Sequence, residues 1–169
     1  MKQGVADIRI EHDDTRRIAD VTEIVNDVTW SGDVNEAYRT LTVSLTNTID
    51  GRNRRINFQN GDMVRFYNHG EELFRGRIFS FSISHDGTET FTAYDTNVYF
   101  TKSQTTRTFR NRKASGIVRQ LASEFGIRIG NIEDTGFVIP KLVAEEEMLY
   151  DIIKQALAIT EKQTGRKFR

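Results

Sequence analysis

Residues Met63–Phe100, MVRFYNHGEELFRGRIFSFSISHDGTETFTAYDTNVYF, decide how this chain is read. Asn68-His69-Gly70 and Asp86-Gly87 cut the stretch into three runs, each rich in aromatic and β-branched residues. Glycine reaches positive φ without a Cβ clash, so such pairs between alternating runs signal hairpins. Within LFRGRIFSFSIS the side chains Phe79, Phe81 and Ile83 are expected on one face and Ser80, Ser82 and Ser84 on the other. A period of two is what a half-buried strand requires, because successive side chains point to opposite faces.

Working back toward the N-terminus, AYRTLTVSLTNT alternates cleanly, with Leu41, Val43 and Leu45 opposing Thr42, Ser44 and Thr46. VADIRI alternates weakly, and VTEIVNDVTWSGD runs through Trp30 into a Ser-Gly-Asp turn signal. Further turns are expected at Asp50-Gly51 and Asn60-Gly61. About six or seven short strands divided this way predict a small antiparallel barrel or sandwich over residues 1–103. Trp30 and most of the Phe and Tyr residues are assigned to its core. The single proline, Pro140, lies outside this region.

Beyond Phe100 the pattern changes. TKSQTTRTFRNRK is polar and basic and reads as a connector. A helix is predicted from Ala114 to Phe125, with Ile117, Val118, Leu121 and Phe125 on one face and Gly126 as its C-terminal cap. IRIGNIEDTGFVIP follows as a short strand and turn. In a second helix Leu149, Ile152, Ile153, Ala156 and Leu157 share a face, and Gly165 closes it. Glu145, Glu146 and Glu147 are placed in or just before its first turn, where negative charge complements the helix dipole. Each helix has one apolar stripe that needs a sheet or partner to cover it, and RKFR could begin such a strand. The fold class is α+β: an antiparallel barrel followed, over 104–169, by a connector and a two-helix α/β segment that resembles an incomplete second domain.

Composition narrows the function classes. The 169 residues hold 11 Phe and 5 Tyr, with 37% hydrophobic residues, enough for a packed core. Lys and Arg number 24 against 24 Asp and Glu, so the basic excess of a general nucleic-acid binder is missing. There is no cysteine, hence no disulfide framework and no thiolate chemistry. No run is long and apolar enough to predict a membrane span, and MKQGVADIRIEHDD has no apolar export core.

No catalytic constellation stands out. His12, His69 and His85 lack a second ligand at helical or strand spacing. Asp13-Asp14 and Glu71-Glu72 sit in polar segments. The sequence has no G-x-S-x-G elbow, no phosphate-binding loop and no dinucleotide fingerprint. Two basic clusters remain: Arg52, Arg54 and Arg55, and Arg107, Arg110, Arg112 and Lys113 around Phe109. Arg107, Phe109, Arg110 and Arg112 form the candidate interaction site, where an aromatic ring among guanidinium groups could stack on a nucleic-acid strand. A solvated linker that contacts a protein neighbour is the plainer assignment.

The ordered series DVTWSGD, NGDMVRFYNHGEELFRGRI, TAYDTNVYFTKS, FRNRKASGIVRQLASEFGI and EEMLYDIIKQALAITEKQTGRKF resembles the XkdQ-like tail proteins of the defective prophage PBSX and its relatives. These are similar in role to the late control protein D of contractile-tailed phages. The resemblance implies a structural, non-enzymatic protein of the virion tail, assembled in the bacterial cytoplasm. It implies a homotrimeric baseplate hub joining tail tube to central spike, with tail-tube-like barrels, no cofactor, and nucleic acid only as passing cargo. Members of the family continue past TGRKF with more strands. The alternatives are a nucleic-acid-binding β-barrel and a cell-wall-directed carbohydrate-binding module.

Overall fold

The computed structural model describes residues 7–11, 15–32, 37–48 and 53–168. The chain divides into two compact units, Met1–Thr96 and Asn97–Arg169. The turn expected at Asp50-Gly51, and His12, Asp13, Asp14 and Arg52, lie outside the described residues.

The first unit is one antiparallel sheet of seven strands: β1 (Asp7–Glu11), β2 (Ile18–Asp20), β3 (Val25–Gly32), β4 (Arg39–Thr46), β5 (Met63–Asn68), β6 (Glu71–Ile83) and β7 (Thr88–Asp95). Their order across the sheet is β2-β1-β5-β6-β7-β4-β3. The β5–β6 hairpin turns at His69 and Gly70, with φ of 50° and 81°. Two consecutive positive φ values match the twist of the flanking strands, which is why Asn-His-Gly works here. Leu41, Val43 and Leu45 are fully buried, as their alternation predicts, and join Ile8, Ile10, Val64, Phe91 and Ala93 in one core.

The sheet curls around that core. Trp30 in β3 meets Phe66 in β5 edge-on at 6.4 Å, although four strand steps separate them. In a flat sheet those steps would span about 19 Å. Trp30 is nonetheless 39% exposed, with Arg39 over its ring at 5.3 Å, so the assignment of Trp30 to the core is corrected to its rim.

A second correction concerns β6. A register shift between Ile78 and Ser80 makes Phe79 an extra residue opposite β7. One inserted residue reverses which face the following side chains take. Phe79 therefore packs on Tyr94 at 5.2 Å, whereas Phe81 pairs with the core residue Phe91 and meets Phe58 at 5.6 Å. The three residues Phe79, Phe81 and Ile83 do not share a face.

The second unit contains α1 (Val98–Lys102), β8 (Gln104–Lys113), α2 (Ala114–Glu124), β9 (Val138–Met148) and α3 (Leu149–Thr164). The basic connector is in fact β8, paired antiparallel with β9. Thr105, Arg107 and Phe109 face inward in alternation with exposed Gln104, Thr106 and Thr108, a period masked in the sequence by its polarity. Pro140 lies within β9, allowed because a two-stranded sheet leaves each strand a free edge. Glu145, Glu146 and Glu147 also belong to β9 rather than to the helix, which starts at Leu149. The segment IRIGNIEDTG forms no strand.

The helix ends agree with expectation. Gly126 and Gly165 have φ of 65° and 70°, the left-handed conformation that terminates a helix. Ile117, Leu121, Leu149, Ile152 and Ala156 pack with Phe109, Ile139, Leu142 and Ala144, so the unit's own two-stranded sheet covers most of the helical stripes. Phe125 falls outside the stripe, on the surface.

Candidate functional site

The four residues singled out from the sequence lie together on β8 but not on one face. Phe109 is 3% exposed in the core of the second unit and has no ring face to offer a ligand. Arg107 is turned toward α2 and forms an ion pair with Glu124. Hydrogen bonds from Gln120, and then from Arg107, hold the Glu124 carboxyl below its ordinary range. Arg110 and Arg112 are exposed, opposite Lys141 and Ile139 of β9. Lys113 is tied to Asp134 at 2.7 Å; that contact, with the Gly136 N–H, lowers the Asp134 pKa. The aromatic–guanidinium platform is thus taken apart by the pleat of the strand.

The other basic cluster is taken up internally. Arg54 donates from Nε to Glu89 at 2.6 Å, and Glu89 is buried in the first unit. Asn47, also buried, donates to Glu89 at 3.1 Å and to the Ile56 carbonyl at 2.6 Å, and accepts from the Ile56 N–H at 2.9 Å. This network ties the end of β4 to the segment leading toward β5. Arg54 also lies over the rings of Phe58 and Phe81, at 5.7 and 5.3 Å. Arg55 approaches Glu23 at 3.9 Å, between exposed groups. Among the described residues no group of three or more His, Asp or Glu is placed to hold a metal ion.

The surface features that sequence reading missed lie on the sheet's outer face. Registers align Asp20, Arg9, Arg65 and Arg75 in one row across β2, β1, β5 and β6. Like charges directly opposite would be unfavourable, and neighbouring carboxylates offset them. Arg65 binds Glu11 at 3.0 Å, Arg75 binds Glu72 at 2.9 Å, and Arg9 approaches Asp7 at 3.6 Å. Hydrogen bonds from Arg75 and then Tyr67 hold Glu72 below the usual carboxylate range. The alternation of MVRFY, with Val64 and Phe66 inward, was the signal that would have placed Arg65 outward.

In the second unit a cleft of about 570 Å³ opens between α2, α3 and the segment 131–135. Val118, Ile132, Ile153, Leu157 and Phe168 give it apolar walls. Glu133 and Arg166 pair at its rim at 2.5 Å. Ile153 and Leu157, expected in the core, are the part of the α3 stripe left facing this cleft.

Comparison with known proteins places the fold. The model of the YQBQ-like family matches residues 28–169. Over 147 residues the chain is 35% identical to YqbQ of Bacillus subtilis (strain 168), covering 86% of this chain and 44% of that protein. It is also 35% identical over 147 residues to the phage-like element PBSX protein XkdQ of the same strain, covering 86% and 45%. Among solved structures, the 43 kDa tail protein of prophage MuSo2 from Shewanella oneidensis superposes with a TM-score of 0.75 at 13% identity, over 94% of this chain and 49% of that one. The chain therefore spans less than half the length of these relatives.

Proposed function

The chain belongs to the YQBQ-like family, and from that premise we propose that it is a structural component of a phage or prophage tail, acting in the baseplate hub. The observation that carries this reading is the combination of 35% identity to a PBSX protein with a backbone that follows a prophage tail protein over 94% of the chain. A curled antiparallel sheet with paired charges on its outer face suits assembly: rim charges set orientation and partner choice, while buried contacts hold. In this reading residues 1–103 form the barrel that meets the tail tube. Residues 104–169 begin the segment that leads toward the spike, and three copies surround the tail axis. The work is mechanical, with no bond made or broken.

The test is removal of the reading frame from a lysogen, followed by electron microscopy of induced particles. The expected result is tube and sheath without an organised baseplate, restored by supplying the gene in trans. Intact tails with normal baseplates in the deletion strain overturn the proposal. Absolute mass in solution by light scattering tests the trimer: a mass three times that of the chain supports contacts within these residues, and a monomer removes the trimer from the chain as it stands.

A further inference from the structure

The outer face of the seven-stranded sheet changes character halfway across. The β2-β1-β5 half carries the arginine row and its carboxylates. Across β3, β4, β7 and the second half of β6 the outward positions are hydroxyl side chains. One row is Thr29, Thr42, Thr92 and Ser80. The row beside it is Asp27, Ser44, Thr90 and Ser82, and on its other side lie Ser31, Thr40, Tyr94 and Arg77. Asp27 and Arg77, each at a row's end, are the formal charges in these three rows. Residues with charged side chains make up 28% of the chain, and the same sheet uses them freely on its other half. Strand propensity explains threonine but not this partition.

The hydroxyls are available. Among the described residues Thr42, Thr92, Ser80, Ser44, Thr90 and Ser82 make no side-chain hydrogen bond, whereas Thr46 at the margin is engaged with Asn26 at 3.0 Å. At one end Phe79, 39% exposed, and Tyr38 both meet Tyr94 edge-on at 5.2 Å, which stands an aromatic ledge beside the rows.

We infer that this face binds an extended, uncharged, β-linked polysaccharide laid across the strands. A protein interface centred on these rows would carry apolar side chains at its middle, and a polyanion would be met by several cations. The rows are hydroxyl at their middle, and their one cation, Arg77, stands at a row's end and donates to the Gly61 carbonyl at 2.6 Å. Hydroxyls donate and accept, so they match a ligand that is itself a polyol and require no charge to be desolvated. Strand spacing repeats a hydroxyl about every 4.8 Å along a row, close to the length of one hexose in an extended chain. The aromatic ledge offers an apolar ring to a sugar face, the amphipathic contact for which such side chains are suited.

The test is calorimetric titration of the purified chain with cellohexaose and with chitohexaose. Saturable binding of at least one is expected. The paired change Thr42→Val with Thr92→Val keeps shape and strand propensity and removes two hydroxyls. At about 1 kcal/mol per hydrogen bond it weakens binding about 30-fold, and Phe79→Ala weakens it further. Glu72→Gln, on the charged half, leaves binding unchanged. The inference is overturned by absence of saturable binding to both hexaoses, or by a Val pair that folds and binds like the parent. It is equally overturned if light scattering shows self-association that the Val pair abolishes, which makes the face a contact between copies. None of these outcomes depends on whether the protein acts in a tail.

Discussion

Gly76→Ala is the sharpest test of how the first unit is held together. Gly76 lies in β6, opposite Val64 on one side and Asp95 on the other. A Cβ built there would sit 2.2 Å from the Tyr94 carbonyl oxygen and 2.6 Å from Cζ of Phe74. Ordinary contact needs roughly 1 Å more, and the first obstacle is backbone, so β6 and β7 must separate. Overpacking of this kind costs about 1–3 kcal/mol, and each ladder hydrogen bond stretched out of range adds about 1 kcal/mol. A loss of about 3–5 kcal/mol follows, a large part of the stability of a domain this size. At about 4–8 °C per kcal/mol, the melting temperature of the first unit falls by at least 12 °C. Trp30 is the only tryptophan and lies in this unit, so its fluorescence follows the transition without interference from the second. The internal control is Gly116→Ala in α2, where a Cβ meets nothing within 4 Å. Relief of glycine's entropy cost there stabilises by about 0.5 kcal/mol, read by circular dichroism. If Gly76→Ala stays within about 1 kcal/mol of the parent in urea denaturation, β6 and β7 do not approach this closely at Gly76.

Further expectations address the other interactions. Arg54→Met strands the buried Glu89 carboxylate with Asn47 alone and destabilises the first unit by about 3 kcal/mol, while Arg54→Met with Glu89→Met recovers most of the loss; urea midpoints of the four proteins close the cycle. Phe109→Ala opens a cavity in the second unit and costs about 3–5 kcal/mol, whereas Arg110→Ala on the same strand changes stability by less than about 0.5 kcal/mol. Equal effects in thermal melts would return β8 to the status of a connector. Glu124 and Asp134 have folded pKa values below their unfolded ones, so their contribution is present above the ordinary carboxylate range and fades as pH falls through the folded values. Melts followed from pH 7 to pH 3 should show the second unit losing stability below about pH 4, with Glu124→Gln flattening part of that slope.

Local periodicity and turn chemistry were enough to identify most elements. Leu41, Val43 and Leu45 announced a strand and its buried face because a pleat allows no other arrangement of alternating apolar residues. Asn68-His69-Gly70 announced its hairpin, and Gly126 and Gly165 marked where helices stop, because left-handed backbone selects glycine at those points. Family membership was likewise legible in the order of segments, without any structure. What local pattern could not supply was anything depending on residues distant in sequence. The bulge at Phe79 is visible only against β7, and it reverses the faces of Phe81 and Ile83. TRTFRNRK reads as a linker until β9 lies beside it, since an edge strand buries one residue in several and leaves the rest polar. The candidate platform of Arg107, Phe109, Arg110 and Arg112 dissolved for the same reason: neighbours in sequence become opposite faces in a strand. The partition of the outer surface into charged and hydroxyl halves is likewise a property of register. Thr29, Thr42, Thr92 and Ser80 are scattered over more than sixty residues of chain, and only the pairing of four strands brings them into line.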